Sequence, residues 1–341
     1  MKRKMIIFAF LAFAVTVQAK TWQISDDLSL KEVSGQQTDF EIDFAMLKRA
    51  ADQNKPQELL VAVLDMEKKY PDITSGDDWK AYVEAEEALA NEKWKKSSEL
   101  FTAFLDNYPV SRFYNAALER EYEIASAFLA GQKRRAFGIF MIRGYDDGEV
   151  MMRKISDKAG NSSIANRALK TLAESFESRK LYFEAYDVWT EIAVRWPTGE
   201  SGEESLLGMA RNMHSAYNGP NYDAAPVKSA EGYYSQYQLR YPQLAEKKGV
   251  EQQYNNAVEQ IAFKYYNIAN YYERTDDIES AMIYYNYVID KSPDTEVAKL
   301  ASGKMQGISD RPQEIVKIKP EDKSLWWRLW HFFDFEAVEK L

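Results

Sequence analysis

Residues 168–197, ALKTLAESFESRKLYFEAYDVWTEIAVRWP, and residues 264–293, KYYNIANYYERTDDIESAMIYYNYVIDKSP, decide the fold. Counted back from Pro197 and Pro293, the same residue classes return at the same offsets. The first stretch has Leu169, Leu172, Ala173, Phe176, then Ala185, Trp189 and Ile192. The second has Tyr265, Ile268, Ala269, Tyr272, then Ala281, Tyr285 and Val288. Spacings of three and four place each group on one face of a helix. The small residues let two antiparallel helices cross closely, and the large ones fill the groove between them. Proline closes each unit because it lacks an N–H and clashes with the preceding turn. The residue before it is pushed out of helical geometry.

The same punctuation recurs at Tyr70-Pro71, Tyr108-Pro109 and Tyr241-Pro242, and Gly160 in Ala159-Gly160-Asn161-Ser162 fits a sixth stop. Successive stops lie 37 to 51 residues apart. Before Pro242 the second helix keeps register with Ala230, Tyr234 and Tyr237. Its first helix matches after a shift of eight, at Leu206, Met209, Ala210 and Met213. That implies a longer turn, which Asn218-Gly219-Pro220-Asn221 supplies. Before Pro109, Ser97, Phe101 and Phe104 are in register. Asn107, Asp276 and Asp294 sit near expected helix ends, where short polar side chains cap and turn the backbone. This ordering is the tetratricopeptide arrangement. It predicts an all-α chain, a tetratricopeptide-like α-solenoid of about five to six helical hairpins, with a non-repetitive helical bundle as the alternative. Strand signals are nearly absent. The apolar run Phe137 to Ile142, between Gly131 and Gly144, reads as a buried turn or a piece of core helix, with a binding lip as the other option.

The flanks have different compositions. Lys2, Arg3 and Lys4 precede an apolar run from Met5 to Val17, and Val17-Gln18-Ala19 offers small residues for cleavage after Ala19. Residues 1–19 read as a secretory signal peptide. Thirteen residues span only about 20 Å as a helix, short of a bilayer core, though an uncleaved anchor helix is the competing reading. Residues 20–40 read as an extended N-terminal arm, 41–306 as the repeat domain, and 307–323, with Pro312 and Pro320, as a linker. Residues 324–341 read as an aromatic amphipathic tail helix. Eight of the eleven residues from Leu325 to Phe335 are apolar. Trp326, Trp330, Phe332 and Phe333 share one broad face with Leu325 and Leu329, and Trp327 intrudes on the other. Burying six such side chains is worth roughly 10 kcal/mol before side-chain ordering is discounted, so the face should be covered. A cap on the repeats, a membrane interface and a partner protein compete as the cover.

Composition narrows the chemistry. The chain has no cysteine, which excludes disulfides, thiolate nucleophiles and cysteine-based zinc sites. Its two histidines, His214 and His331, lie far apart in sequence, a poor basis for histidine-rich metal sites or serine–histidine schemes. Net charge is −9, and loss of residues 1–19 would take it to −12, which argues against nucleic acid as a partner. No glycine-rich phosphate loop occurs. Acidic pairs such as Asp146-Asp147 and Glu86-Glu87 read as solvated faces rather than acid–base machinery. No enzyme activity, metal or cofactor is expected.

The layout resembles the BamD-like family of outer-membrane assembly lipoproteins, built from about five tetratricopeptide repeats. The likeness is carried by Ala85 to Leu89 with Trp94, Leu100-Phe101 and Asn107-Tyr108-Pro109, by Ala168 to Phe176 through Arg195-Trp196-Pro197, and by Gln260 to Tyr272 through Ala281 and Tyr285. It covers about residues 57–306. The family usually carries a lipidated cysteine after its signal. Here Lys20 and Thr21 follow Ala19, so membrane attachment would be indirect. The resemblance implies that the first helix of each hairpin lines a concave groove for partners. Its non-core positions are Lys170, Glu174 and Glu177 in one repeat and Tyr266, Asn270 and Glu273 in another, with ordinary solvated helix surface as the alternative. Two functions follow. One is a periplasmic scaffold, possible at the outer-membrane periphery, that binds envelope proteins such as a β-barrel assembly machinery. The other is a membrane-associated cell-envelope or peptidoglycan-linked organiser. The tail would supply any peripheral membrane contact.

Overall fold

All six expected stops end helices. In a computed structural model describing residues 22–24, 30–32, 35–136 and 140–310, helices terminate at Lys69, Asn107, Arg195, Arg240 and Lys291, each two residues before its proline, and at Ala159, one residue before Gly160. Tyr70, Tyr108, Trp196, Tyr241 and Ser292 precede proline, and all have φ between −126° and −140° and ψ between 53° and 73°. That is the displacement from the α basin that a following proline ring imposes.

The described residues form fifteen helices and two short antiparallel ladders, divided into two compact units between Ser201 and Gly202. The first unit begins with β1 (Trp22–Ile24) and β2 (Leu30–Glu32), paired with Trp22 opposite Glu32. Its helices are α1 (Gly35–Asp52), α2 (Pro56–Lys69), the single turn α3 (Pro71–Thr74), α4 (Asp77–Ala90), α5 (Trp94–Asn107) and α6 (Tyr114–Leu129). The ladder β3 (Lys133–Ala136) and β4 (Phe140–Arg143) follows, then α7 (Tyr145–Ala159), α8 (Ser163–Ser178) and α9 (Tyr182–Arg195). The second unit holds nearly all of α10 (Gly199–Ala216), then α11 (Ala225–Arg240), α12 (Pro242–Lys247), α13 (Val250–Arg274), α14 (Ile278–Lys291) and α15 (Glu296–Ser309).

The fold is all-α in its core, built of tetratricopeptide-like hairpins. The pairs are α1 with α2, α4 with α5, α6 with α7, α8 with α9, α10 with α11, and α13 with α14. One rule organises every second helix. The residues 12, 8 and 5 positions before the stop are buried in all six pairs: Leu59, Val63 and Met66; Ser97, Phe101 and Phe104; Gly148, Met152 and Ile155; Ala185, Trp189 and Ile192; Ala230, Tyr234 and Tyr237; Ala281, Tyr285 and Val288. The first position is small in five of them because the paired helix crosses there. A Cβ added at Gly148 would lie 2.9 Å from Leu129 Cγ and 3.0 Å from the Ala125 carbonyl, so α6 and α7 approach as closely as backbone allows.

Three boundaries differ from the sequence reading. The helical region starts at Gly35, inside the stretch expected to be an extended arm, and α15 continues to Ser309, past the expected start of the linker at 307. The run expected to be a buried turn or core helix contributes a strand: β3 pairs with β4, with Lys133 opposite Arg143 and Ala136 opposite Phe140. A short apolar run carries no periodicity that separates strand from helix. Gly131, at φ 99°, reverses the chain after α6, and the Gly144 amide then closes the ladder onto the Gln132 carbonyl. The expected signal peptide, most of the linker and the aromatic tail, with Trp326, Trp327, Trp330, Phe332 and Phe333, lie outside the described residues.

Candidate functional site

The first helices place the expected groove residues as follows. On α8, Lys170 is half-buried, Glu174 is exposed, and Glu177 is half-buried beside the second helix of its own hairpin. Trp189 on α9 donates its indole N–H to Glu177 Oε1 at 2.7 Å. On α13, Tyr285 from α14 points its hydroxyl at Asn270 Oδ1 and Glu273 Oε2, each 2.8 Å away. Lys304 on α15 adds an ion pair to Glu273 at 2.9 Å. Tyr266 packs on the same cluster, its ring 5.6 Å from that of Tyr285. The structure therefore turns Glu177, Asn270 and Glu273 inward, as ties between paired helices, rather than out into an open groove. A large aromatic eight residues before the stop, facing a polar residue on the first helix, is the signal that finds these ties in sequence. Sequence reasoning missed it because acidic residues flanking a helix core usually face water.

Three surface hollows lie beside these first helices. One, of about 240 Å³, is framed by α1 and α2 and bordered by Met46, Val61 and Met66. On the same two helices Ile42, Met46, Leu60, Val61 and Leu64 are all half or more exposed. A second, of about 250 Å³, lies among α11, α13 and α14 and includes Lys228, Glu231, Tyr265, Tyr287 and Lys291. Lys228 donates to the Tyr265 hydroxyl at 2.7 Å, and its ammonium sits 5.2 Å from that ring's centroid. Burial pushes the Tyr287 hydroxyl pKa up, and the neighbouring Tyr265 adds to this.

The third hollow, of about 260 Å³, lies between α10 and α13, the first helices of successive hairpins. Its lining is His214, Tyr217, Gly219, Pro220, Gln260 and Phe263. His214 Nδ1 sits 3.3 Å from the Tyr234 hydroxyl, with the two rings edge to face. Burial lowers the His214 pKa and the nearby Gln260 amide works against that. The ring is therefore neutral at neutral pH. Phe263 is 42% exposed at the rim.

Among the described residues no cluster of three histidine or carboxylate side chains is placed to hold a metal ion, and no helix is long and apolar enough to cross a membrane. No protein-family model and no curated protein matches the chain. Among solved structures, it is similar to the C-terminal part of a TPR repeat-containing protein from Cytophaga hutchinsonii, at 13% identity and a TM-score of 0.22, over 77% of this chain and 98% of that one.

Proposed function

We propose that this chain is a non-catalytic helical-repeat scaffold that holds other proteins through the surfaces of its first helices. One observation carries the reading: six successive hairpins repeat a single burial rule, while the residues between the buried positions vary freely. Stacked hairpins of this kind build extended binding surfaces with little internal chemistry. The leader-like residues 1–19 support a periplasmic location, and the resemblance to BamD-like lipoproteins supports a place in outer-membrane protein assembly, at the membrane periphery. A second reading is favoured by the tryptophan-rich residues 324–341: a membrane-associated organiser of the cell envelope or its peptidoglycan.

Crosslinking in cells, followed by partner identification, separates the two. Recovery of a β-barrel insertase supports the assembly role. Recovery of cell-wall enzymes supports the organiser. Recovery of neither, with the chain found outside the envelope, rejects both. Deleting residues 324–341 tests the tail: loss of membrane fractionation assigns it to lipid, whereas a lowered melting temperature with unchanged fractionation assigns it to capping.

A further inference from the structure

We propose that the β3–β4 ladder is a shallow docking element that seats this chain on an anionic lipid surface. This goes beyond the scaffold reading, which concerns the surfaces of the first helices, and it involves a segment distinct from residues 324–341. The ladder is an insertion that the repeat geometry does not need. Turns at 53–55, 91–93, 179–181 and 275–277 close paired helices with three residues, whereas α6 and α7 are joined by residues 130–144. The base of the insertion is fixed. A Cβ added at Gly144 would lie 2.4 Å from Phe128 Cδ1 on α6. Arg143 Nη1 donates to the Tyr145 hydroxyl at 2.9 Å. Beyond that base, no other described element packs extensively against the ladder.

Two properties of the insertion select what covers it. The first is charge. Residues 131–144 hold Lys133, Arg134, Arg135 and Arg143 and no acidic residue, in a chain whose net charge is −9. The register puts Lys133 opposite Arg143, with Arg134 and Arg135 next along β3. Lys133 and Arg143 are exposed. Like charges paired across a ladder repel, and an anionic surface relieves them. A second copy would bring the same four cations, so self-pairing here is unfavourable. The second property is the composition of β4. Phe140, Met141 and Ile142 are consecutive, and successive residues of a strand belong to opposite faces, so both faces of β4 carry apolar residues. Ile142 is 41% exposed. A partner strand adding at one edge would supply backbone hydrogen bonds and leave both faces wet. A lipid interface surrounds them.

The same geometry limits the depth. A ladder of this length extends about 13 Å, far short of a hydrocarbon core of about 30 Å. The outer edges of a two-stranded ladder carry unpaired N–H and C=O groups, which interfacial water satisfies and the hydrocarbon core cannot. The ladder therefore rests at headgroup level, with the apolar residues of β4 at the acyl boundary and the cations among the phosphates.

The chain has no cysteine, so a single introduced one carries a polarity-sensitive fluorophore at a known place. The full chain with Met141→Cys, so labelled, is titrated with vesicles of phosphatidylcholine, alone or mixed equally with phosphatidylglycerol. Emission should shift to the blue with the mixed vesicles, at an affinity about tenfold or more above that for phosphatidylcholine alone, and added salt should reverse it. A label at Val110→Cys, 96% exposed in the turn after α5, should stay unshifted. Adding Lys133→Gln with Arg134→Gln to the labelled chain should weaken the affinity about tenfold. Adding Phe140→Ser with Ile142→Ser should abolish the shift, and neither pair should change the melting temperature. No shift at position 141, whether or not the chain sediments with vesicles, overturns the proposal. So do equal shifts with both vesicles, a shift on raising protein concentration alone, which marks a second copy, and an equal shift with poly-glutamate, which marks an acidic protein. A melting temperature lowered by the serine pair would place β4 in the folded core and overturns it as well. Partner capture in cells is scored separately, so the scaffold reading stands or falls by itself.

Discussion

The first unit and the second tie their helices together with different chemistry. In the first, Arg120 on α6 is 1% exposed. Its Nε donates to Glu86 Oε1 on α4 at 2.7 Å, its Nη1 to Asp52 on α1 at 2.5 Å and Glu123 at 2.6 Å, and its Nη2 to the Lys48 carbonyl at 2.8 Å. One guanidinium therefore ties the first helices of three hairpins. Burial opposes its charge, but Glu86, Tyr82 and Glu123 together outweigh that and raise its pKa. In the second unit phenols tie the two helices of a single hairpin, α13 and α14. Tyr285 bridges Asn270 and Glu273, while Tyr272 and Tyr284 stack at 5.6 Å with an interplanar angle of 7°. Both arrangements sit on the same hairpin geometry. The geometry thus follows from the helix stops and the small crossing residues, and the side chains that tie helices together are free to vary. A planar fork with five donors reaches three helices at once, whereas a phenol joins two.

Breaking each join should expose that difference, and the largest effect belongs to the charge. Arg120→Met leaves Glu86 buried without its partner and should cost about 3–5 kcal/mol in chemical denaturation. Adding Glu86→Leu should recover most of that loss, because the desolvated charge is removed with its partner. A double variant as unstable as the single one would show that the cluster contributes more than it costs. In the second unit, Tyr285→Phe keeps the ring but strips the bridge, and should cost about 1–3 kcal/mol by the same measurement. A loss as large as that of Arg120→Met would erase the contrast between the regions.

Two titrating groups sharpen the comparison with opposite signs. Burial raises the pKa of Glu121 on α6, against the Thr102 hydroxyl that donates to it. The folded chain keeps this proton longer than the unfolded chain does, so the group's contribution declines as pH rises from the ordinary value near 4.5 through the raised one. Glu121→Gln should flatten that decline. His214 in the second unit is shifted down by burial, so the unfolded chain binds its proton first. Its contribution is lost as pH falls from about 6.5 towards the lowered value. His214→Gln should flatten the denaturation midpoint on that side only. A slope of the same sign at both sites would contradict the burial argument.

The smallest effect concerns the turns, which both regions share. Asn54, Glu92, Lys180 and Asp276 occupy left-handed conformations, with φ from 55° to 65°, at the turn between the helices of four hairpins. At each turn the chain closes with an amide five residues on from a carbonyl, as in Leu181 N–H to the Phe176 carbonyl and Asp277 N–H to the Tyr272 carbonyl. Side chains other than glycine pay about 1–2 kcal/mol for that conformation, part of which glycine returns as chain entropy. Glu92→Gly and Lys180→Gly should therefore raise stability by about 0.5–1 kcal/mol each in thermal unfolding.

Much of this was legible in residues 168–197 and 264–293, because helix stops and hairpin crossings are local events. Proline at 71, 109, 197, 242 and 293 acts on its own neighbours, and the structure ends a helix before each. The same offsets identify Gly148, Met152 and Ile155 before Gly160, a hairpin that the sequence marks only faintly. The turns were less legible, since Glu92 and Lys180 carry no glycine signal. The candidate surface was less legible again. Glu177 and Glu273 look like solvated positions until Trp189 and Tyr285 are seen donating to them across the hairpin.

By itself, then, the order of residues determined where helices end, which faces they bury and how they pair, since each depends on neighbours within a few turns of chain. Tertiary structure alone decided that Arg120 would be buried among carboxylates from α1 and α4, that Phe140–Arg143 would pair as a strand, and that Tyr217 and Gln260 would meet across one cavity. The hydrogen-bonding partner of a polar side chain is set by whichever helix packs against it, and for Arg120 the partners on other helices lie 34 to 72 positions away in sequence.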